Sequence, residues 1–300
     1  MTHAMTHPEA SLEASADLQV SDLASRDHAC LTFGDEEELF DLTAAFARDG
    51  LASGLKVLWI SESAGQMESD FAGRGLKVAS AIASGQMAVV ESEGPVLSSQ
   101  AFAPGHTLNW LSGQIDACLT EGFAGLRVAV DMRWALRPVT GVEQLPDFEE
   151  RLGPLLADNS ATVLCQYDRE SFDPVTLGSV VPLHTRSVAA ATYHADAVLR
   201  ICRQYAPPGI RISGEIDYRA EQSLALALAE ALRLDHDITV NLAGLRFIDA
   251  CCVRMIINAA RGLSSSRAMT LRCSVSCADQ FTLFGAKDLP GLSIATVHER

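Results

Sequence analysis

The chain has 300 residues, 48% hydrophobic and 20% charged, which is long enough to bury two ordinary cores and too apolar for a disordered polymer. Its formal charge of −15 opposes docking on a phosphate backbone, which depends on Lys and Arg displacing counterions, so no direct nucleic-acid binding is expected. No basic start leads into an apolar run and no apolar stretch reaches the roughly 18 residues of a membrane span, giving the expectation of a cytoplasmic chain without membrane contact and with a disordered tail over residues 1–20.

From 35 to 52 the apolar residues Leu39, Leu42, Phe46, Ala47 and Leu51 recur at helical spacing, and KVLWI at 56–60 reads as a buried strand. MAVVES (87–92), a helix over 108–121, LRVAVDM (126–132), a helix over 147–158 and ATVLCQYD (161–168) continue the alternation, which predicts a mostly parallel α/β sheet. Near residue 195 the pattern changes. AVLRICRQY and GIRISGEID are two strand-like runs around Pro207, Pro208 and Gly209, read as a hairpin turn inside a second unit. The expected organisation is therefore a first unit over 21–194 and a second over 195–300. A helix over 219–233, the strand ITVNLAGL, the FIDACC corner with a helix to Gly262, the strand MTLRCSV, a helix around 279–284 and the strand LSIATV complete a small αβ layer.

Eight cysteines, at 30, 118, 165, 202, 251, 252, 273 and 277, are scattered rather than arrayed as a disulfide scaffold and are expected reduced and buried. Cys273 and Cys277 have no further ligands at zinc-finger spacing, so strand packing is the reading for that pair and no metal site is expected.

GIRISGEIDYRAEQSL, the strand with a small-residue turn at NLAGL, and FIDACC opening a helix fall in the order that resembles the STAS domain of anti-sigma factor antagonists. The resemblance implies a corner reading Asp-Ser-Ser-Gly or Asp-Ser-Thr-Gly, whose hydroxyl a partner kinase phosphorylates. A phosphate adds about −1.5 to −2 charges at a helix N-terminus and so ends a contact shaped for a neutral side chain. Here Asp249 holds the cap position, but Ala250, Cys251 and Cys252 replace the hydroxyl residues, so conventional phosphorylation control is expected to be lost. Asp217 matches the family's strand-end acid and Asn241 stands where the family often has Asp; with the corner they form the expected partner-binding set. Cys251 as a redox trigger is set against its reading as a small core residue, which is preferred.

DHACLTFGDEEELFDLTAAFARDGLASGLKVLWIS has the strand, loop, helix, strand order of a RecA-like nucleotide domain. A working P-loop needs Gly-x4-Gly-Lys-Ser/Thr; FGDEEELFD supplies Asp35, Glu36, Glu37 and Glu38, which would repel a triphosphate, although Asp131 ends its strand as a Walker-B acid would. DHACLTF, MRWAL, DFEERL, LCQYD and the later His184 resemble, in that order, the MEDS domain, a RecA-related sensory family for small hydrocarbon derivatives. The expectation is a RecA-like parallel-sheet domain without a functional P-loop, followed by a small α/β STAS domain.

Ligands of such sheets bind outside the strands' carboxyl ends. Trp134 and Tyr167 are expected as apolar walls, with His28, Cys30, Asp131, Glu149, Asp168 and His184 as further lining, the alternative for Glu149 being an ion pair with Arg151 or Arg133. Together these imply a non-catalytic signalling regulator without cofactor, which senses a small molecule and binds an anti-sigma factor or kinase-like protein, a homodimer being compatible. The alternatives are a stressosome-like scaffold, a degenerate ATPase, or a thiol enzyme using Cys251.

Overall fold

The computed structural model describes residues 18–297 apart from 63, 64, 66 and 158. Of the tail expected over 1–20, residues 1–17 lie outside the described residues. Its last three are held: the Leu18 amide donates to Ser187 O at 2.9 Å, and Val20 is buried at the start of a short 3-10 turn.

In chain order the elements are β1 (His28–Phe33), α1 (Glu36–Ala52), β2 (Lys56–Ile60), α2 (Met67–Gly73), α3 (Ala79–Ala83), β3 (Met87–Val90), β4 (Leu97–Ser98), β5 (Ala101–Phe102), α4 (Pro104–Thr120), β6 (Leu126–Asp131), α5 (Leu145–Ala157), β7 (Ala161–Asp168), α6 (Pro174–Val180) and β8 (Arg186–Val188). They continue with β9 (Thr192–Ala195), β10 (Leu199–Tyr205), β11 (Pro208–Ile216), α7 (Glu221–Leu234), β12 (Ile238–Leu242), β13 (Leu245–Ile248), α8 (Ala250–Arg261), β14 (Met269–Cys273), α9 (Val275–Leu283) and β15 (Leu292–Thr296).

Two main sheets result. The first is wholly parallel, in the order β3-β2-β6-β7-β1-β8, so the loop after β1 and the end of β6 face each other across β7. The second runs β15-β14-β12-β11-β10-β9, with β13 beside β11 and an antiparallel β9-β10-β11 edge. β6 is buried along its whole length because helices cover both faces of the first sheet, which is why its sequence is a continuous apolar run rather than an alternating one. On one face α4 and α5 bring Leu111, Ile115, Leu152 and Leu156 against Val128 and Val163; on the other α1 brings Phe40, Leu42 and Phe46 against Leu31 and Trp59.

β14 does alternate, with Met269, Leu271 and Cys273 inside and Thr270 and Arg272 on the other side. Its apolar face packs with Ile212 and Val240 on α7, α8 and α9 through Leu224, Leu228, Ile256 and Phe281. The opposite face of this sheet meets α1, and Cys202 and Ala206 join the core around Phe40 and Phe46.

Several expectations shift. β8 pairs with β1 whereas β9 pairs with β10, so the chain passes from one sheet to the other at 189–191 rather than at 194/195. Tyr205 pairs with Pro208, so the hairpin turn narrows to Ala206 and Pro207. Gly209 is already strand, at φ 151°, and a Cβ there would lie 1.9 Å from Thr239 O, so only glycine lets β12 approach. The helix expected around 279–284 begins at Val275 because the Ser274 side chain accepts the Cys277 amide and caps it; Cys277 is therefore helical and only Cys273 lies on a strand. No disulfide joins the eight cysteines, seven of them buried and Cys251 half-buried.

Candidate functional site

Gly34 leaves β1 and Asp35 caps α1, its side chain accepting the Glu38 amide at 2.8 Å. Carboxylates in the first turn are favoured by the helix dipole, so Glu36, Glu37 and Glu38 start the helix well where a P-loop would present bare N–H groups to phosphate. They do not stand as unpaired repelling charge. Arg211 of β11 grips Asp35, and Arg200 of β10 reaches Glu38 at 2.6 Å. Glu37 takes Arg74 at 2.8 Å, the Asn241 amide at 3.1 Å and a close ion pair from Arg272 of β14. Arg211, Asn241 and Arg272 occupy one register row across β11, β12 and β14, so the second sheet presents a cationic row to the anionic head of α1. Burial works to raise the Glu37 carboxyl pKa, but Arg74 and Arg272 outweigh it and hold the pKa below its ordinary value. One turn on, buried Asp41 accepts the Tyr205 amide at 2.9 Å and the Ala206 amide at 2.6 Å. Burial pushes its pKa up to about 7 despite these donors.

Asn241 therefore corrects an expectation. It is 2% exposed and spent within the chain on Glu37 and Gln204, because its side chain points to the face of β12 that α1 covers. Asp131 bonds Ser61 Oγ at 3.2 Å and chelates Arg133, which reaches over to Glu36. A cleft of about 1100 Å³ opens beside these groups, lined by Gly34, Glu36, Arg169, Ser213, Gly244 and Arg272. It lies at the carboxyl ends of β1 and β7, between the two sheets.

His28, Glu149, Tyr167 and His184 come together, but against the sheet face under α5 rather than at the strand ends. Glu149 Oε2 lies 2.9 Å from His28 Nε2, 3.4 Å from His184 Nε2 and 3.5 Å from Cys165 Sγ, and the Tyr167 hydroxyl donates to Oε1. Glu149 thus pairs with neither Arg151, which bonds the exposed Asp147, nor Arg133, which bonds the buried Asp131 and reaches Glu36; it points inward from α5. The side chains of His28, Glu149 and His184 are wholly buried. Burial alone would raise the Glu149 pKa; His28, His184 and Tyr167 bring it below its ordinary value, while burial and Glu149 push the Tyr167 and Cys165 pKa values well up. These two histidines, the carboxylate and the thiol place four ligating atoms within 4.8 Å of one another. Cys165 was not singled out from the sequence; only its register opposite Cys30 on β1 brings it here.

The remaining expected pocket residues go elsewhere. Trp134 is core, tilted against Phe102 with ring centroids 4.6 Å apart, and its Nε1 has no hydrogen-bond partner among the described residues. It borders a small apolar cavity of about 20 Å³ with Ile60, Val128 and Phe148. Asp168 caps its own turn through Glu170 N and Ser171 Oγ, and does not join Tyr167 in the cluster because alternate strand residues point to opposite faces.

In the second unit, the Asp249 side chain accepts Cys252 N and Tyr218 N, both at 2.8 Å, tying the start of α8 to the chain leaving β11. Asp217 holds Arg219. Ala250 is exposed and Cys251 half-buried, beside the exposed rings of Tyr218 and Phe247. Cys252 is fully buried; burial and Asp249 push its pKa up to about 12, so its thiol stays protonated.

With this geometry in hand, the family model described as MEDS, the methanogen/methylotroph, DcmR sensory domain, matches residues 27–185. The chain belongs to the MEDS family. The matched segment of this MEDS chain runs from just before His28 to just after His184, so it encloses the whole buried cluster. No curated protein matches its sequence. Among solved structures it is similar to a KaiC-like protein from Pyrococcus horikoshii (15% identity, TM-score 0.45, covering 63% of this chain and 80% of that one). It is also similar to the flagellar accessory protein FlaH from Methanocaldococcus jannaschii (11% identity, TM-score 0.41, covering 61% and 82%).

Proposed function

We propose that this MEDS chain is a non-catalytic signalling regulator. In this reading a RecA-like first unit senses a small molecule and relays the change through α1 to a STAS-like second unit. The second unit binds an anti-sigma factor or related kinase-like protein at the Asp249–Cys252 corner, without phosphorylation control. The observation that carries the reading is the set of ion pairs from Asp35, Glu37 and Glu38 to Arg211, Arg272 and Arg200. The position that would hold nucleotide phosphates is filled by carboxylates, and their counter-charges come from the other sheet. A change at the head of α1 therefore has to be felt by the second unit.

The cleft beside that contact suits the sensed molecule, since it combines the carboxyl ends of two strands with charged groups already engaged in the relay. A ligand entering it competes with internal ion pairs, which makes its binding and the opening of the contact reciprocal. The exposed Tyr218, Phe247 and Ala250 around the corner offer an apolar surface of the kind that binds a protein partner. A thiol-enzyme reading has little support, because burial and Asp249 push the pKa of the deeper thiol, Cys252, up to about 12.

The test is a calorimetric titration of the full chain with magnesium and ATP. The expected result is no saturable binding into the millimolar range. Micromolar binding, or turnover of the triphosphate, overturns the reading.

A further inference from the structure

We propose that His28, Glu149, Cys165 and His184 form a closed site for a zinc-class divalent ion inside the first unit. The proposal stands independently of the signalling reading, and it reverses the expectation that the chain carries no metal site.

Three observations converge on it. The spacings fit: tetrahedral zinc bonds of about 2.0–2.3 Å place neighbouring ligand atoms about 3.3–3.7 Å apart. Here Glu149 Oε2 to His184 Nε2 is 3.4 Å, Glu149 Oε2 to Cys165 Sγ is 3.5 Å and Cys165 Sγ to His28 Nε2 is 3.7 Å, with the 2.9 Å from His28 to Glu149 a little tighter. The outer contacts of His184 and Glu149 fit as well, while His28 Nδ1 has no hydrogen-bond partner among the described residues. His184 Nδ1 bonds the Val180 carbonyl at 2.9 Å, which places its proton on Nδ1 and turns the Nε2 lone pair inward; the Tyr167 hydroxyl anchors the other Glu149 oxygen.

The third observation is an unmet demand. His184 Nε2 is buried without a hydrogen-bond partner, facing a carboxylate oxygen at 3.4 Å. In that tautomer two lone pairs confront each other in a site from which water is excluded, and a cation between them removes the conflict.

The donor set is borderline-soft, with two imidazoles, one thiolate and one carboxylate, which selects zinc or a similar transition ion over magnesium or calcium. Uptake takes the Cys165 proton into solvent. All four positions are protein atoms, so the site is structural: it ties the segment ahead of β8 to α5, β1 and β7.

The experiment loads the full-length chain with Zn²⁺ or Co²⁺, desalts it, and measures metal per chain, the cobalt spectrum and the melting temperature. The proposal expects one ion per chain, tetrahedral cobalt bands with a thiolate charge-transfer band, and a zinc-induced rise in melting temperature. Cys165→Ser should remove the charge-transfer band and at least tenfold of the affinity, while Cys277→Ala should change neither. A folded wild-type chain, by circular dichroism, that retains no stoichiometric metal overturns the proposal even if Cys165→Ser fails to fold. So does an octahedral spectrum without a thiolate band, or uptake that follows Cys277.

Discussion

Glu38 and Arg200 lie 162 positions apart in sequence and 2.6 Å apart in space, the carboxylate 1% exposed. Arg211 and Arg169 flank the same carboxylate, each at 3.4 Å. Removing one member of such a buried group leaves uncompensated charge. Glu38→Gln should therefore destabilise the chain by about 3–5 kcal/mol. Glu36→Gln, which loses an ion pair whose carboxylate is nearly half exposed, should cost less than about 1 kcal/mol. Chemical denaturation of the two variants decides the point, and equal costs contradict the assignment of Glu38 to the contact between sheets.

Asp41 gives the contact a pH dependence. Its pKa in the folded chain is about 7, mainly through burial, against an ordinary value of 3.8. The folded state thus holds the proton more tightly than the unfolded chain. This favours folding at and below about pH 4 and is lost as pH rises through about 7, a decline of roughly 2–4 kcal/mol. Asp41→Asn keeps an oxygen for the Tyr205 and Ala206 amides and should flatten the stability profile between pH 5 and 8. An unchanged slope in that variant removes Asp41 as its origin.

The two corner thiols should separate chemically. Cys251 is half-buried whereas Cys252 is fully buried with its pKa pushed up to about 12. Alkylation of the folded chain followed by mass spectrometry should modify Cys251 well before Cys252. The reverse order contradicts the described corner.

Replacing Cys251 by Asp places a charge in the surface assigned to the partner, and should weaken binding of a captured partner at least tenfold, while Cys251→Ser should leave it nearly unchanged. Equal affinities for the Asp variant and the wild type remove the corner from the interface.

The long elements were legible because each carries its own period: KVLWI and ATVLCQYD as strands buried on both faces, and 35–52 as an amphipathic helix. Short elements such as α6, β8 and β13 were not, since seven, three and four residues hold too little pattern. The contact between the sheets was half visible. RICRQY, GIRIS and TLRC set four arginines in strands, which demands counter-charge; Asp35–Glu38 supplies it for Arg200, Arg211 and Arg272 and Asp235 for Arg203, and the pairing itself depends on how the two sheets meet. His28, Glu149, Tyr167 and His184 were singled out separately, but α5 brings them beneath the sheet, and no spacing rule reaches across the 121 positions between His28 and Glu149. Cys165 was hidden within ATVLCQYD because a lone cysteine in a strand reads as a small core residue.

The most direct measurement is hydrogen exchange at the Tyr205 and Ala206 amides, which donate to Asp41 across the contact. If the head of α1 is a latch between the two sheets, Glu38→Gln should speed exchange at these two amides at least tenfold while amides of β6 and β7 stay protected. Unchanged protection at Tyr205 and Ala206, or loss of protection throughout both sheets at once, contradicts the account.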